Sequence, residues 1–252
     1  MSDFFYDFFK KLKTGTEIEN YGRNIIKKAV FNHISVNKLK SVKILDLGAG
    51  PGTDLQNSKN SAESAGCENV ELYAIENYLP NVNLLQNQGV SVQSINLEND
   101  NYDYESSSID IVIMNQCLEH TKEIFHIFSE IGRILKPNGI LIVGVPNLAS
   151  FHNRILLLLG KQPSAIHTLG PHVRGFTKKD FTKFFTAGEF FSLNKTYGSN
   201  FYPFPVFISR FLSKIWPTGS VSLFYVIERT NKNQGKFSDY LKDHFFETPY
   251  IE

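Results

Sequence analysis

The sequence predicts an α/β fold: a doubly wound, mostly parallel sheet of seven strands with helices on both faces. Three observations carry that prediction. Short β-branched, apolar runs alternate with stretches of helical period, as expected for parallel strands buried on both faces. The first run, Val42 to Leu47, passes directly into glycines at positions 48, 50 and 52. A Lys136-Pro137-Asn138-Gly139 break then separates a strongly apolar helix from another β-branched run.

Taken in order, residues 1–36 are expected to form a helical cap. Phe4, Phe5, Phe8, Phe9 and Leu12 recur at helical spacing, giving a short amphipathic lid. A second helix is expected from Glu17 to about Ser35, with Ile18, Ile25, Ile26, Ala29, Val30 and Ile34 on its apolar side. Residues 37–147 form the core. After the first strand, Thr53 and Asp54 are placed to cap a helix, although that helix has only Leu55, Ala62 and Ala65 as apolar anchors. Asn69 to Ile75 is the second strand. A helix from Leu79 to Gln88 ends at Gly89, and Val90 to Ile95 is the third strand. Ile109 to Met114 is the fourth. Ile124 to Leu135 reads as a helix, and Ile140 to Val145 as the fifth strand. Pro137 disfavours helix at the residue before it, and Gly139 allows positive φ.

Residues 148–230 add a helix from Phe151 to Leu159 and one from Lys178 to Ala187 capped by Thr177, then strands at 189–197 and 220–228. Between those strands, Pro203 and Pro205 precede an amphipathic helix dense in aromatics. The tail, 231–252, is polar and then aromatic. It is expected to form a short helix and to fold over the site.

Composition narrows the function. The 252 residues carry 26 basic and 25 acidic side chains, a net charge of +1. No long basic stripe appears, which argues against a nucleic-acid partner. Cys67 and Cys117 have no metal or redox spacing, and no bound metal is expected. Glu119 and His120 stand adjacent, too short a pattern to define a metal site. The N-terminus, MSDFFYDFFKKLK, is a poor signal peptide. No apolar run reaches the roughly 18 residues of a membrane span. A cytoplasmic protein is expected, monomeric or homodimeric, with peripheral membrane contact open to the aromatic segment at 201–217.

The chemistry starts at the glycines. A chain leaving a strand through glycine turns tightly and brings its backbone against a ligand, because no Cβ intervenes. The dinucleotide fingerprint needs glycines at its first, third and sixth positions. Here the sixth position is Thr53, and the third glycine comes one residue early, at Gly52.

The pattern Asp-x-Gly-x-Gly-x-Gly, from Asp46 to Gly52, resembles the first motif of class I S-adenosylmethionine-dependent methyltransferases. SIDIVIMNQCLEH, at 108–120, resembles that family's fourth motif. EIGRILKPNGILIVGVPN, at 130–147, is close to its LKPGG-then-strand signature. PHVRGFTKKDF, at 171–181, is similar to a segment of a small-molecule subgroup linked to cell-surface polysaccharides and quinones. The resemblance implies a Rossmann-like fold and S-adenosyl-L-methionine as cofactor. It implies contacts from Asp46, Gly48, Ala49, Gly50 and Gly52. Glu76, at the tip of the second strand, would accept from both ribose hydroxyls, and Asn77 follows it. Asn96 stands where the family commonly has Asp facing the adenine amino group, with Leu97 against the adenine. Asn115 and Cys117, beyond the fourth strand, complete the cofactor set. Tyr21 and Arg23 are candidates for the cofactor's carboxylate.

Transfer of a methyl group from a sulfonium needs an acceptor held in line, about 3–3.5 Å away. His120, after the fourth strand, is the first candidate for the base of a hydroxyl acceptor, because imidazole titrates near neutrality. His167 and His172 are the next. Arg174 suits an anionic acceptor. The expectation is a small-molecule methyltransferase, acting on oxygen in surface-polysaccharide or related metabolism. N-methylation and quinone O-methylation are alternatives. A nicotinamide-dependent oxidoreductase and a non-catalytic cofactor-binding subunit are the competing classes.

Overall fold

The computed structural model describes residues 22–233, 235–237 and 239. The expected lid helix of residues 1–16, residues 17–21 of the expected second helix (Tyr21 among them) and the aromatic end of the tail lie outside them.

Seven strands form one sheet: β1 (Ser41–Leu47), β2 (Asn69–Ile75), β3 (Ser91–Gln93), β4 (Ile109–Asn115), β5 (Leu135–Pro146), β6 (Phe191–Ser199) and β7 (Ser222–Arg229). Their order is β3-β2-β1-β4-β5-β7-β6. β1 pairs in parallel with β2 and β4, and β4 with β5, while β7 runs antiparallel to both β5 and β6. The helices are α1 (Arg23–Asn37), α2 (Thr53–Ser64), α3 (Leu79–Asn87), α4 (Ile124–Ile134), α5 (Phe151–Leu158), α6 (Lys178–Phe185) and α7 (Val206–Ile215).

The period-2 pattern of β1 divides the core. Val42 and Ile44 face one apolar layer with Ile26, Val30 and Ile34 of α1 and Leu55 of α2. Leu45 and Leu47 face the other, with Ile127, Phe128 and Ile131 of α4 and Phe181 and Phe185 of α6. Each such buried side chain contributes about 1.5–3 kcal/mol. The thinly anchored α2 forms because Leu55, Ser58 and Ala62 lie buried in that stripe, so packing compensates for a polar sequence.

Several expectations need correction. The N-cap of α2 is Gly52, at φ 81, with no side-chain cap bond, rather than Thr53 or Asp54. β3 is only Ser91–Gln93, because it pairs on one side alone, with β2. α1 starts at Arg23, after the left-handed Gly22. Early in β5, Asn138 takes the positive φ of 65. Gly139 is needed for closeness instead: a Cβ there would lie 2.9 Å from the carbonyl oxygens of Asp110 and Lys136. β5 begins at Leu135, without a loop, through a register shift against β4. Thr177 does cap α6, accepting from the Asp180 N–H at 3.4 Å.

Candidate active site

The strand order reverses between β1 and β4, and open α/β sheets bind ligands beyond the carboxyl ends of the strands at such a point. The loops leaving β1, β2 and β4 meet there. Gly48 follows β1, with its N–H donating to the Ile75 carbonyl of β2 at 2.9 Å. At φ 71, a Cβ on Gly48 would stand 2.7 Å from Cys117 Sγ, on the loop after β4. Gly48 and Cys117 therefore pack directly. Gly50, at φ 53, differs: nothing lies within 4 Å of where its Cβ would be. That side of Gly50 is open space.

Glu76 is fixed by the same loop. One carboxylate oxygen accepts from the Gly50 N–H and the other from the Tyr78 N–H, both at 2.8 Å. Each oxygen keeps a further acceptor site, the capacity needed for two ribose hydroxyls. Ala49 is buried and Asn77 exposed. Asn96 is exposed, and its side-chain oxygen accepts from the Glu98 N–H at 2.9 Å, shaping a turn. The Asn96 N–H donates to Asp100 at 2.7 Å. Leu97, partly buried, packs on the core next to Tyr102.

The far side of the loop is tied by a bridge that sequence reading passed over. Arg23 of α1 meets Asp54 of α2 at 3.3 Å, and Asp54 accepts from Asn115 of β4 at 2.8 Å. Arg23 and Asn115 thus both contact Asp54, which lies in the first turn of α2. Acids crowd this lip. Burial, with the charges of Asp54 and Glu76, pushes the Asp46 carboxyl well above its ordinary value. Burial, with the neighbouring carboxylates, pushes the Cys117 thiol up to about 12, so it stays protonated at neutral pH. A ligand carrying positive charge suits such a surround.

Beyond β4 the chain forms a 3-10 turn, Leu118–His120. The loop at 171–174 docks on it, with the Val173 and Arg174 N–H groups donating to the Glu119 carbonyl at 2.8 and 3.3 Å. This brings the His120 and His172 rings to 4.7 Å, edge to face. Glu119 is buried beside them, and burial raises its carboxyl to about 7. Arg174 donates to the Lys122 carbonyl. His167 is exposed and stands outside the grouping. The sequence drew attention to the histidines, but the burial of Glu119 could be seen only once the loop was docked.

A separate cleft of about 560 Å³ is lined by Asn147, Arg154, Thr177, Lys178, Lys179 and Thr218 among others. None of the glycine loop, Glu76 or the histidines lines it.

A methyltransferase-domain model matches residues 13–200. No curated protein sequence matches the chain. Among solved structures, the fold is similar to an S-adenosylmethionine-dependent methyltransferase from Archaeoglobus fulgidus. The TM-score is 0.53 at 13% identity, covering 82% of this chain and 94% of that one. It is similar to YcgJ of Bacillus subtilis, with TM-score 0.52 and 14% identity over 81% and 99% of the two chains. It also matches the Burkholderia thailandensis 1,6-didemethyltoxoflavin-N1-methyltransferase, solved with S-adenosylhomocysteine, at TM-score 0.50 and 16% identity over 82% and 78%. S-adenosylmethionine is a cationic nucleoside, and the open side of Gly50, the pinned Glu76 and the acidic lip fit it. The chain belongs to the methyltransferase-domain family, with the class I, S-adenosylmethionine-dependent fold.

Proposed function

We propose that this protein transfers the methyl group of S-adenosylmethionine to an oxygen of a small-molecule acceptor in the cytoplasm. One observation carries the reading. The glycine loop and a pinned acid stand at the switch point, and Cys117, packed against Gly48, leads into the turn that carries His120, paired with His172. The cofactor supplies an activated methyl on sulfur. The chain's task is to fix the acceptor in line, worth on the order of 7–11 kcal/mol. His120 is the candidate base, and His172 orients it. His120 Nδ1 lies 3.2 Å from the Pro171 carbonyl, which leaves Nε2 to take the hydroxyl proton. Arg174, on the loop that docks at Glu119, favours an anionic or sugar-linked acceptor of the surface-polysaccharide kind.

The test is a panel of hydroxylated and aminated acceptors with purified protein, reading S-adenosylhomocysteine release. An oxygen acceptor should turn over, and His120→Gln should lower kcat by about 10²–10⁴-fold with cofactor binding retained. Turnover of amines alone, or of no acceptor despite tight cofactor binding, removes the reading.

The same enzyme is proposed to touch an anionic membrane surface through α5 and α7. Phe207 is 73% exposed, Phe211 62% and Leu158 86%, and the ring contact of Phe151 with Trp216 joins the two elements. Residues 150–161 and 200–217 contain Arg154, Lys161, Arg210 and Lys214 but no acid. Exposed aromatics with a basic surround match an interfacial surface. Sedimentation with anionic but not neutral vesicles supports this. A concentration-dependent dimer without vesicle binding replaces it with self-association.

A further inference from the structure

We propose that Glu119, His120 and His172 bind one divalent transition-metal ion of the zinc type at the acceptor side of the lip. The site stands on its own geometry; its chemical role rests on the methyl-transfer reading above.

One ligand atom from each of the three side chains lies within 4.8 Å of the others, the one such grouping among the described residues. Two imidazoles and a carboxylate are a donor set that suits zinc and its neighbours rather than magnesium or calcium. A tetrahedral zinc ion, 2.0–2.1 Å from each donor, spaces its ligand atoms about 3.4 Å apart. The grouping has to contract by at most about 1.4 Å from 4.8 Å, and His120 is on the exposed side.

Backbone carbonyls fix the tautomer of both histidines. His172 Nδ1 is 2.8 Å from the Ala165 carbonyl, and His120 Nδ1 is 3.2 Å from the Pro171 carbonyl. A carbonyl only accepts, so each Nδ1 carries the proton and each Nε2 keeps its lone pair. Backbone carbonyls hold metal-ligating histidines in this way. Glu119 supplies the independent sign. It is 1% exposed, yet its Oε2 has no hydrogen-bond partner. Buried carboxylate oxygens are nearly always satisfied, and a cation is the partner that this one lacks. The backbone bonds from Val173 and Arg174 to Glu119 pre-assemble the two segments before any ion arrives.

Three protein ligands leave a fourth position open, as in catalytic rather than structural zinc sites. An acceptor hydroxyl bound there loses its proton to solvent more readily. Its oxygen then forms a bond to the cofactor methyl carbon as the carbon–sulfur bond breaks. The electron pair stays on sulfur, which leaves as the neutral thioether. With the ion bound, the His120 lone pair serves as a ligand bond and the proton passes to water.

The test uses the full chain, stripped with chelator and titrated with Co²⁺ alone, reading the visible d–d absorption and its displacement by Zn²⁺. One equivalent should bind. Glu119→Gln and His172→Ala should each weaken cobalt by about 10-fold or more, with cooperative thermal unfolding retained and S-adenosylhomocysteine affinity unchanged. His167→Ala, outside the grouping, should bind cobalt as the parent does. Absence of stoichiometric cobalt, or unchanged affinity in both ligand variants, overturns the site and leaves the methyltransferase reading intact. Cobalt bound with those mutational losses, but no S-adenosylhomocysteine binding by the parent, keeps the site and removes the methyltransferase reading.

Discussion

Glu76 owes its position to two backbone N–H groups, from Gly50 and Tyr78, so its role in cofactor binding can be isolated. Glu76→Gln keeps the shape and removes the charge that strengthens those bonds and any to ribose. Hydrogen bonds to charged groups are worth about 1.5–3 kcal/mol. Calorimetric affinity for S-adenosylhomocysteine should fall by roughly 10–100-fold, and an unchanged affinity would place the ribose elsewhere. Asp46 gives a pH signature. Its folded carboxyl titrates above the unfolded one, so the folded state holds the proton longer. The associated stability is full below the unfolded value of about 3.9 and is lost as pH rises toward the folded value. Asp46→Asn should flatten that decline in a series of melts against pH; an unaltered profile would assign the decline to another group.

At the scale of elements, the second half of the sheet is stitched by one arginine. Arg229, at the end of β7, is buried and donates to the carbonyls of Gly132, Phe190, Thr230 and Asn233, at 2.8–3.0 Å. Its guanidinium also lies over the Phe190 and Phe191 rings. Arg229→Leu should cost at least about 3 kcal/mol, the worth of two charged-donor hydrogen bonds, read as a fall in denaturation midpoint. A loss under about 1 kcal/mol would mean that water replaces the donor. The tail also contributes: Phe237, 2% exposed, packs against Phe128, Phe184, Phe190 and Phe191. It closes the α4 and α6 layer, a use of the tail that its polar flanks concealed. Phe237→Ala should cost about 3–5 kcal/mol, and a smaller loss would show that the layer closes without it.

Across the whole molecule, the cofactor couples to stability. A ligand at 100 times its Kd adds about 2.7 kcal/mol, which for a chain of this size raises Tm by roughly 5–10 °C. S-adenosylhomocysteine should produce that shift and NAD should not; the reverse would return the protein to the dinucleotide class.

Local pattern determined much of this protein. The apolar runs marked β1, β4 and β5, since strands buried on both faces are apolar nearly throughout, whereas β2 is half-buried along most of its length. The spacing of Gly48, Gly50 and Gly52 after β1 separated a sulfonium nucleoside from a dinucleotide, because backbone closeness is written in glycine. Other features depended on groups far apart in the chain. Nothing local announces that β3 pairs on one side only, that Asp54 bridges Arg23 to Asn115, or that the loop at 171–174 docks on the turn at Glu119. The meeting of His172 with the adjacent pair Glu119 and His120 was decided by tertiary structure, because burial and the pairing of distant side chains arise only when the sheet has closed.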